Sequence, residues 1–379
     1  MSSPFTLGIE EEFQMVNPHT NQLASYIHPL MDKGERLFGE KMKPEMLQST
    51  VELITGVCPS IAAARLEVTQ LRTMLAQLIQ QEGLALISGG THPLAHWQDQ
   101  DRTDSPRYIE LEDEFQDVGR SILIFGMHVH VGIESRELSI NIMNQVRTWL
   151  PHILALSSNS PFWGGRYTGL KSYRTVVWKR FPRSGMPDVF STIEDYDRYI
   201  NSLIRTGCID NGKKIWWDIR PHPFFPTIEF RICDMPATLE DTLALAALCQ
   251  ALVAKLTWLY KHGMEAHTLP RGYIEENKWR AMRYGLDAEV IDFVNYRTLS
   301  MRDAIHGLLD FVDDVVDDLG SRREMYYLRR LLDGPDGTGA DKQIAVYHET
   351  GSIDAVVEHM VHQTMQGISL DSVEHTLAS

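Results

Sequence analysis

Apolar and polar residues alternate over three short stretches of this chain. In GMHVHVGIES, residues 126–135, His128, His130 and Gly132 alternate with Met127, Val129, Val131 and Ile133. A period of two places both imidazoles on one face of a strand and the aliphatic side chains on the other. GIEEEF sets Glu10 and Glu12 against Ile9, Glu11 and Phe13, and TIEFRI sets Glu229 and Arg231 against Ile228, Phe230 and Ile232. One such stretch is what any half-solvated sheet needs. Three of them, carrying acids, imidazoles and a guanidinium where strands usually carry Thr or Ser, predict a single sheet lining a site.

The remaining pattern sets these strands among helices. A strand over 5–16 ends at Asn17-Pro18, a short return strand is expected over 23–27, and a loop over 33–42. Strand character returns at 46–54, bringing Glu45 and Glu52. Pro59-Ser60 opens a helix over 61–81, with Leu66, Leu71, Leu75 and Leu78 near helical spacing, and Gly83 stops it. A short strand at 84–88 precedes an acidic helix face around Glu110, Glu112, Glu114 and Asp117. Helices are predicted over 140–156, restarted at Pro151, and over 192–206, where Ser191 offers a cap. Residues 214–220 and 227–232 read as antiparallel strands joined by PHPFFP. Helices follow at 238–262, 271–284, 296–319, 322–332 and 352–365; 334–339 reads as a glycine-rich loop and 366–379 as a fraying tail. Strands concentrate before Asp234 and helices after it. The prediction is an α+β fold, a mainly antiparallel sheet with helices on one face, and no linker divides residues 1–379.

Composition narrows the function. The chain has 379 residues, 43% of them hydrophobic, enough for a large core. Asp and Glu number 51 against 36 Lys and Arg, a formal net charge of -15, so a nucleic-acid or anionic-membrane surface is not expected. Cys58, Cys208, Cys233 and Cys249 lie far apart without C-x-x-C spacing and read as reduced residues of a cytoplasmic protein. No run approaches about 18 consecutive apolar residues, and no basic, apolar leader opens the chain.

Glu10, Glu12, Glu45, Glu52, Glu229, His128 and His130 offer five carboxylates and two imidazoles to one surface. Acids this close repel one another unless cations sit between them or several hold protons. Mg²⁺ or Mn²⁺ suits so oxygen-rich a set; zinc competes through the two imidazoles, although no compact Cys/His set supports it. Arg231, on the face of Glu229, leads the candidates for a polyphosphate contact, ahead of Arg220, Lys171 and Arg174. No P-loop or dinucleotide fingerprint is present, so metals on the sheet would have to hold the phosphates. Glu11 reads as an edge or surface acid, and His92, His222 and His348 as structural or surface residues.

Six ordered stretches carry a resemblance: GIEEEF, VELITG at 51–56, GMHVHVGI, SSNSPFWGGRYTGLKSYR at 157–174, WWDIRPHPFFPTIEFRICD at 216–234 and ENKWRAMRYG at 276–285. Together they resemble the carboxylate-amine ligase family of type 2 glutamate–cysteine ligases over roughly residues 5–365. The resemblance implies a single glutamine-synthetase-like catalytic domain, a curved antiparallel sheet flanked by helices, with ATP and divalent metals in its concavity. It implies that L-glutamate is activated as an acyl phosphate and attacked by the amine of L-cysteine or another amine. By motif, Glu10, His128 and Glu229 match the metal ligands on the ATP side; Glu12, Glu45 and Glu52 match those nearer the carboxylate being activated. Arg231 matches the residue meeting the transferring phosphoryl, with His130 and Glu52 beside it as further catalytic groups. Another carboxylate/amine pair, phosphoryl transfer to a guanidinium or amine, and a silent metal- and small-molecule-binding protein remain open alternatives. A homodimer is expected.

Overall fold

Strand β1 (Leu7–Val16) is the strand on which the main sheet is assembled. The computed structural model describes residues 5–369, so most of the expected tail, from residue 370, lies outside the described residues. The other strands of this sheet are β2 (Met42–Pro44), β3 (Thr50–Ile54), β4 (Ala85–Ile87), β5 (Met127–Gly132), β6 (Ile219–Pro221) and β7 (Thr227–Phe230). Their order is β6-β7-β5-β1-β3-β2, with β4 also paired to the end of β1, and every pairing is antiparallel.

Register converts the three alternating stretches into one row. Glu12 stands opposite Glu52, Glu10 opposite His128, His130 opposite Glu229, and Glu229 opposite Arg220. Directly opposed residues share a face, so these side chains cross the sheet as neighbours. The intervening Ile9, Phe13, Val129, Val131, Ile228 and Phe230 are buried on the other face. Helices Ile61–Gln81 and Leu239–Lys261 cover that face. Ser60 caps the first, accepting from the amide of Ala63, and Thr238 and Asp241 form a reciprocal capping box on the second. The second helix is long and apolar enough to cross a membrane by length and composition, yet 83% of its most apolar window is buried in the protein. It is the central helix of the core.

Several expectations shift. The expected return strand is reduced to an antiparallel bridge between Leu23 and Val16, and in place of the loop a helix, Ile27–Phe38, and a 3-10 turn, Gly39–Lys41, lead into β2. Ile27, Leu30, Gly34 and Phe38 make its buried stripe, and Pro29 falls in the first turn, where a missing N–H does no harm. Gly34 leaves room for the tip of the Met42 side chain: a Cβ there would lie 1.8 Å from Met42 Cε, so that side chain would have to move. The helix expected from 296 starts only at Met301, because Arg297–Ser300 pairs with Glu289–Asp292 as a hairpin and Ser300 becomes the cap. Thr338 and Asp341 cap an unforeseen helix, Gly339–Thr350, behind the glycine loop. Thr192, not Ser191, caps the helix Ile193–Arg205, and Leu66 points outward from its helix. All four cysteines are free, and all but Cys208 are buried.

Candidate active site on the sheet

The row across the sheet becomes a cluster because β5 brings two imidazoles to one carboxylate. His128 Nδ1 lies 2.8 Å from Glu10 Oε2, and His130 Nε2 lies 3.2 Å from Glu10 Oε1. Burial works against the Glu10 charge, but the hydrogen bonds from His128 and His130 overcome it and hold the carboxyl well below its usual range. Burial, reinforced by the Arg231 charge, pushes His128 down to about 4, a neutral imidazole. Glu229 is buried between two arginines: Arg220 Nε reaches its Oε2 at 2.8 Å, and Arg231 donates to its Oε1. Those guanidinium groups outweigh its burial and keep it ionised.

The β3 side of the cluster has the opposite electrostatics. Burial and the neighbouring Glu45 push Glu12 up to about 7, even though the amide of Gly126 donates to it at 2.5 Å. Glu52 is raised well above the carboxylate range by burial and then by Glu10, Glu45 and Glu12. Burial also raises Glu45, against the opposing charge of Arg107. These acids face one another with too little positive charge among them. Donor atoms of Glu10, Glu52 and His128 lie within 4.8 Å of one another, and so do those of Glu10, His130 and Glu229. Carboxylates with one imidazole in each group fit Mg²⁺ or Mn²⁺, and the raised acids are where added cations would relieve repulsion.

The four expected phosphate-side cations separate in the structure. Arg231 is buried in the cluster, bonded to Glu229 and facing the Trp178 ring, while its Nε has no protein partner. Arg220 is engaged on all sides, by Glu229 and by the carbonyls of Lys213 and Ile215 at 2.8 and 2.6 Å. It holds Glu229 in place. Arg174 lies under Gly126, with guanidinium nitrogens 3.4 Å from the carbonyls of Arg231 and Ile232; Lys171 pairs with Asp341.

Three residues have roles that the linear pattern did not assign. Glu11 is no surface acid: it is buried beneath the sheet, bonded to Arg72 Nε at 3.0 Å, Arg72 Nη2 at 2.6 Å and Thr242 Oγ1 at 2.7 Å. Its place between Ile9 and Phe13 was the available signal, because an acid on an apolar face needs a buried partner. Asp234 ties down the segment 157–174, accepting from the Asn159 amide at 2.9 Å and the hydroxyls of Ser160 and Ser172 at 2.6 and 2.8 Å. His222 stands beside the cluster, its ring centroid 5.4 Å from that of His130. His92 is structural as expected, buried with Nδ1 accepting from the amides of Leu94 and Ala95.

An antiparallel sheet backed by helices, with acids and imidazoles gathered on its other face, is the architecture of a glutamine-synthetase-like catalytic domain. The family described as Glutamate-cysteine ligase family 2 (GCS2) matches residues 6–359, and the chain belongs to that family. It is 50% identical over 364 residues to a putative glutamate–cysteine ligase 2 of Solibacter usitatus, covering 96% of this chain and 94% of that one. A protein of the same description from Herpetosiphon aurantiacus is 46% identical over 375 residues, covering 99% and 97%. Among solved structures, a glutamate–cysteine ligase of Francisella tularensis in complex with AMP superposes with a TM-score of 0.73 at 14% identity, covering 98% of this chain and 91% of that one. A bifunctional glutathione synthetase of Pasteurella multocida gives 0.70 at 13% identity, covering 95% of this chain and 52% of that one. At such identities these two structures speak for the fold alone.

Proposed function

We propose that this chain is an ATP-dependent carboxylate-amine ligase that joins the γ-carboxylate of L-glutamate to the amine of L-cysteine through an acyl phosphate. Membership of a ligase family supports the reaction class. The observation that carries the reading is the cluster itself: Glu10, Glu52, Glu229, His128 and His130 in two metal-compatible groups, with Glu12 and Glu45 as their acidic neighbours, beside Arg231, whose buried Nε has no protein partner.

A free carboxylate resists amines because oxide is a poor leaving group. Phosphorylation turns that group into phosphate, which the amine then displaces. Bound divalent cations would supply charge neutralisation for the polyphosphate and the activated carboxylate. Glu10, His128 and Glu229 would hold the cation on the nucleotide side, and Glu12, Glu45 and Glu52 the cations on the amino-acid side. Arg231 presents its planar fork of donors to the phosphoryl group in transit, while Arg220 fixes the Glu229 carboxylate. His130, held by Thr227 at 3.1 Å and by Glu10 at 3.2 Å, stands beside the metal-compatible groups and would meet substrate or phosphate by giving up one of these two contacts. In its ionised form, Glu52 is the carboxylate on this side that would take the proton from the attacking amine. The catalytic unit in this reading is the whole chain, working in the cytoplasm as a homodimer; sedimentation showing only monomer would remove the dimer.

The test is product analysis. Purified protein with ATP, Mg²⁺ and L-glutamate should form little product until L-cysteine is added, then γ-glutamylcysteine with equal amounts of ADP and phosphate. AMP and pyrophosphate would exclude the acyl-phosphate route. An amide with a different amine, and none with cysteine, would keep the reaction class and replace the substrate.

A further inference from the structure

The stretch ENKWRAMRYG supplies no group to the cluster, yet it forms most of the helix Arg271–Tyr284. From that helix Lys278 reaches Asp218, with Nζ 2.5 Å from Oδ2 and both side chains buried. Asp218 stands where the chain changes partner. Trp216–Trp217 before it pairs with Ser184–Gly185, and β6 after it pairs with β7. Its amide donates to the Gly185 carbonyl at 2.8 Å, and its carbonyl accepts from the Arg231 amide at 2.8 Å. Arg231 lies one residue past the end of β7, so this bond is what carries the pairing on to it.

The same helix braces Arg231 from its other end. The Met282 carbonyl accepts from the amides of Lys171 and Ser172 at 2.8 and 3.1 Å, and Arg283 donates to the Gly169 carbonyl. These bonds fix the segment that carries Arg174, whose guanidinium nitrogens lie 3.4 Å from the Arg231 carbonyl. The backbone of Arg231 is therefore gripped at its amide through Asp218 and at its carbonyl through Arg174. A planar fork of donors needs that grip more than a point charge does, because its bonds have direction. Packing alone does not call for a buried ion pair, since apolar side chains of similar size often hold a fold as well. Resting on the phosphoryl contact given to Arg231 in the reading above, we propose that Lys278 is a positioning residue for the reaction. Through Asp218 it sets where the Arg231 fork stands, without touching substrate itself.

Steady-state ADP release in a double-mutant cycle tests this role. Asp218→Asn keeps an acceptor for Lys278, and Lys278→Met combined with Asp218→Asn removes both charges, so that neither is left buried alone. Turnover should fall about threefold in the first and about tenfold in the second, with the KM for ATP within about twofold of wild type. In an Arg231→Lys background the combined change should cost less than about twofold, because a mobile ammonium has no fork to aim. Asn277→Ala is the control on the same helix. Asn277 bonds the backbone of Ile291 in both directions, at 2.9 and 2.8 Å, on a path that does not lead to Arg231. Its loss should lower the thermal midpoint and leave turnover unchanged. Wild-type turnover in the folded combined variant overturns the proposal, as does an equal loss in both backgrounds. So does an Asn277→Ala variant that loses as much turnover, or a failure of both Asp218 variants to fold, which would make the pair a support of the fold alone. Each of these leaves the ligase reading intact. A wild-type protein that releases no ADP with any amine defeats that reading, and this inference with it.

Discussion

The two faces of β1 handle the same residue type in opposite ways. Beneath the sheet, Glu11 meets one arginine and one threonine, and its charge is matched within hydrogen-bond distance. Above it, Glu10 and Glu12 join Glu45, Glu52 and Glu229, the guanidinium groups of Arg220 and Arg231 bond to Glu229, and three of the five acids are raised by burial and mutual repulsion. A buried ion pair with both partners in place is a structural element. A buried excess of one sign is an unfinished one, and it marks where something from solution belongs.

The sharpest way to break this comparison is to neutralise one glutamate on each face. Glu11→Gln leaves Arg72 buried without its counter-charge, and should lower unfolding free energy by about 3–5 kcal/mol in urea denaturation. A loss below about 1 kcal/mol would mean that Arg72 finds another partner. Glu10→Gln should instead cost about a hundredfold in turnover at ordinary Mg²⁺, with a thermal midpoint near that of the wild type. Wild-type turnover at limiting Mg²⁺ would remove Glu10 from the metal set. Glu229→Gln is expected to do both, since the same carboxylate anchors Arg220 and Arg231. Arg231→Lys keeps the charge and loses the fork, so turnover should fall about tenfold with binding of Mg·ADP less affected.

Much of this contrast was legible in the sequence, and the part that was not is non-local. Alternation placed Glu10, Glu12, His128, His130, Glu229 and Arg231 on strand faces, because a period of two is a local property. It could not show that β5 and β7 are neighbours, which is what opposes His130 to Glu229. Nor could it find Arg72 for Glu11, 61 residues away on a helix. The helix Ile27–Phe38 escaped because Pro29 and Gly34 look like breakers until the first turn and the Met42 contact are seen. His222 looked isolated because its importance comes from the hairpin that folds PHPFFP back toward β5.

The smallest expected effect separates the faces by pH. Glu12 titrates at about 7 in the folded protein, above its ordinary value near 4.5. Between these values the metal-free native state binds more protons than the unfolded one, so Glu12 contributes stability that is present below about 4.5 and lost as pH rises through 7. In EDTA, the midpoint of the wild type relative to Glu12→Gln should therefore decline from pH 4.5 to 7, and Mg²⁺ should flatten the difference. A difference that is already flat without metal would show that Glu12 is not strained by its neighbours.

The charges of β1 also guard its own assembly. Sliding this strand by one residue against its neighbours would turn Glu10 and Glu12 toward Arg72 and the apolar helices, and send Glu11 to the other side. Two acids would then compete for one guanidinium among aliphatic side chains, while Ile9 and Phe13 would face the polar row. Sheets misregistered by one residue are thus disfavoured by electrostatics as well as by hydrophobic burial. The face that β1 keeps is the one that sets Glu10 beside His128 and Glu12 beside Glu52.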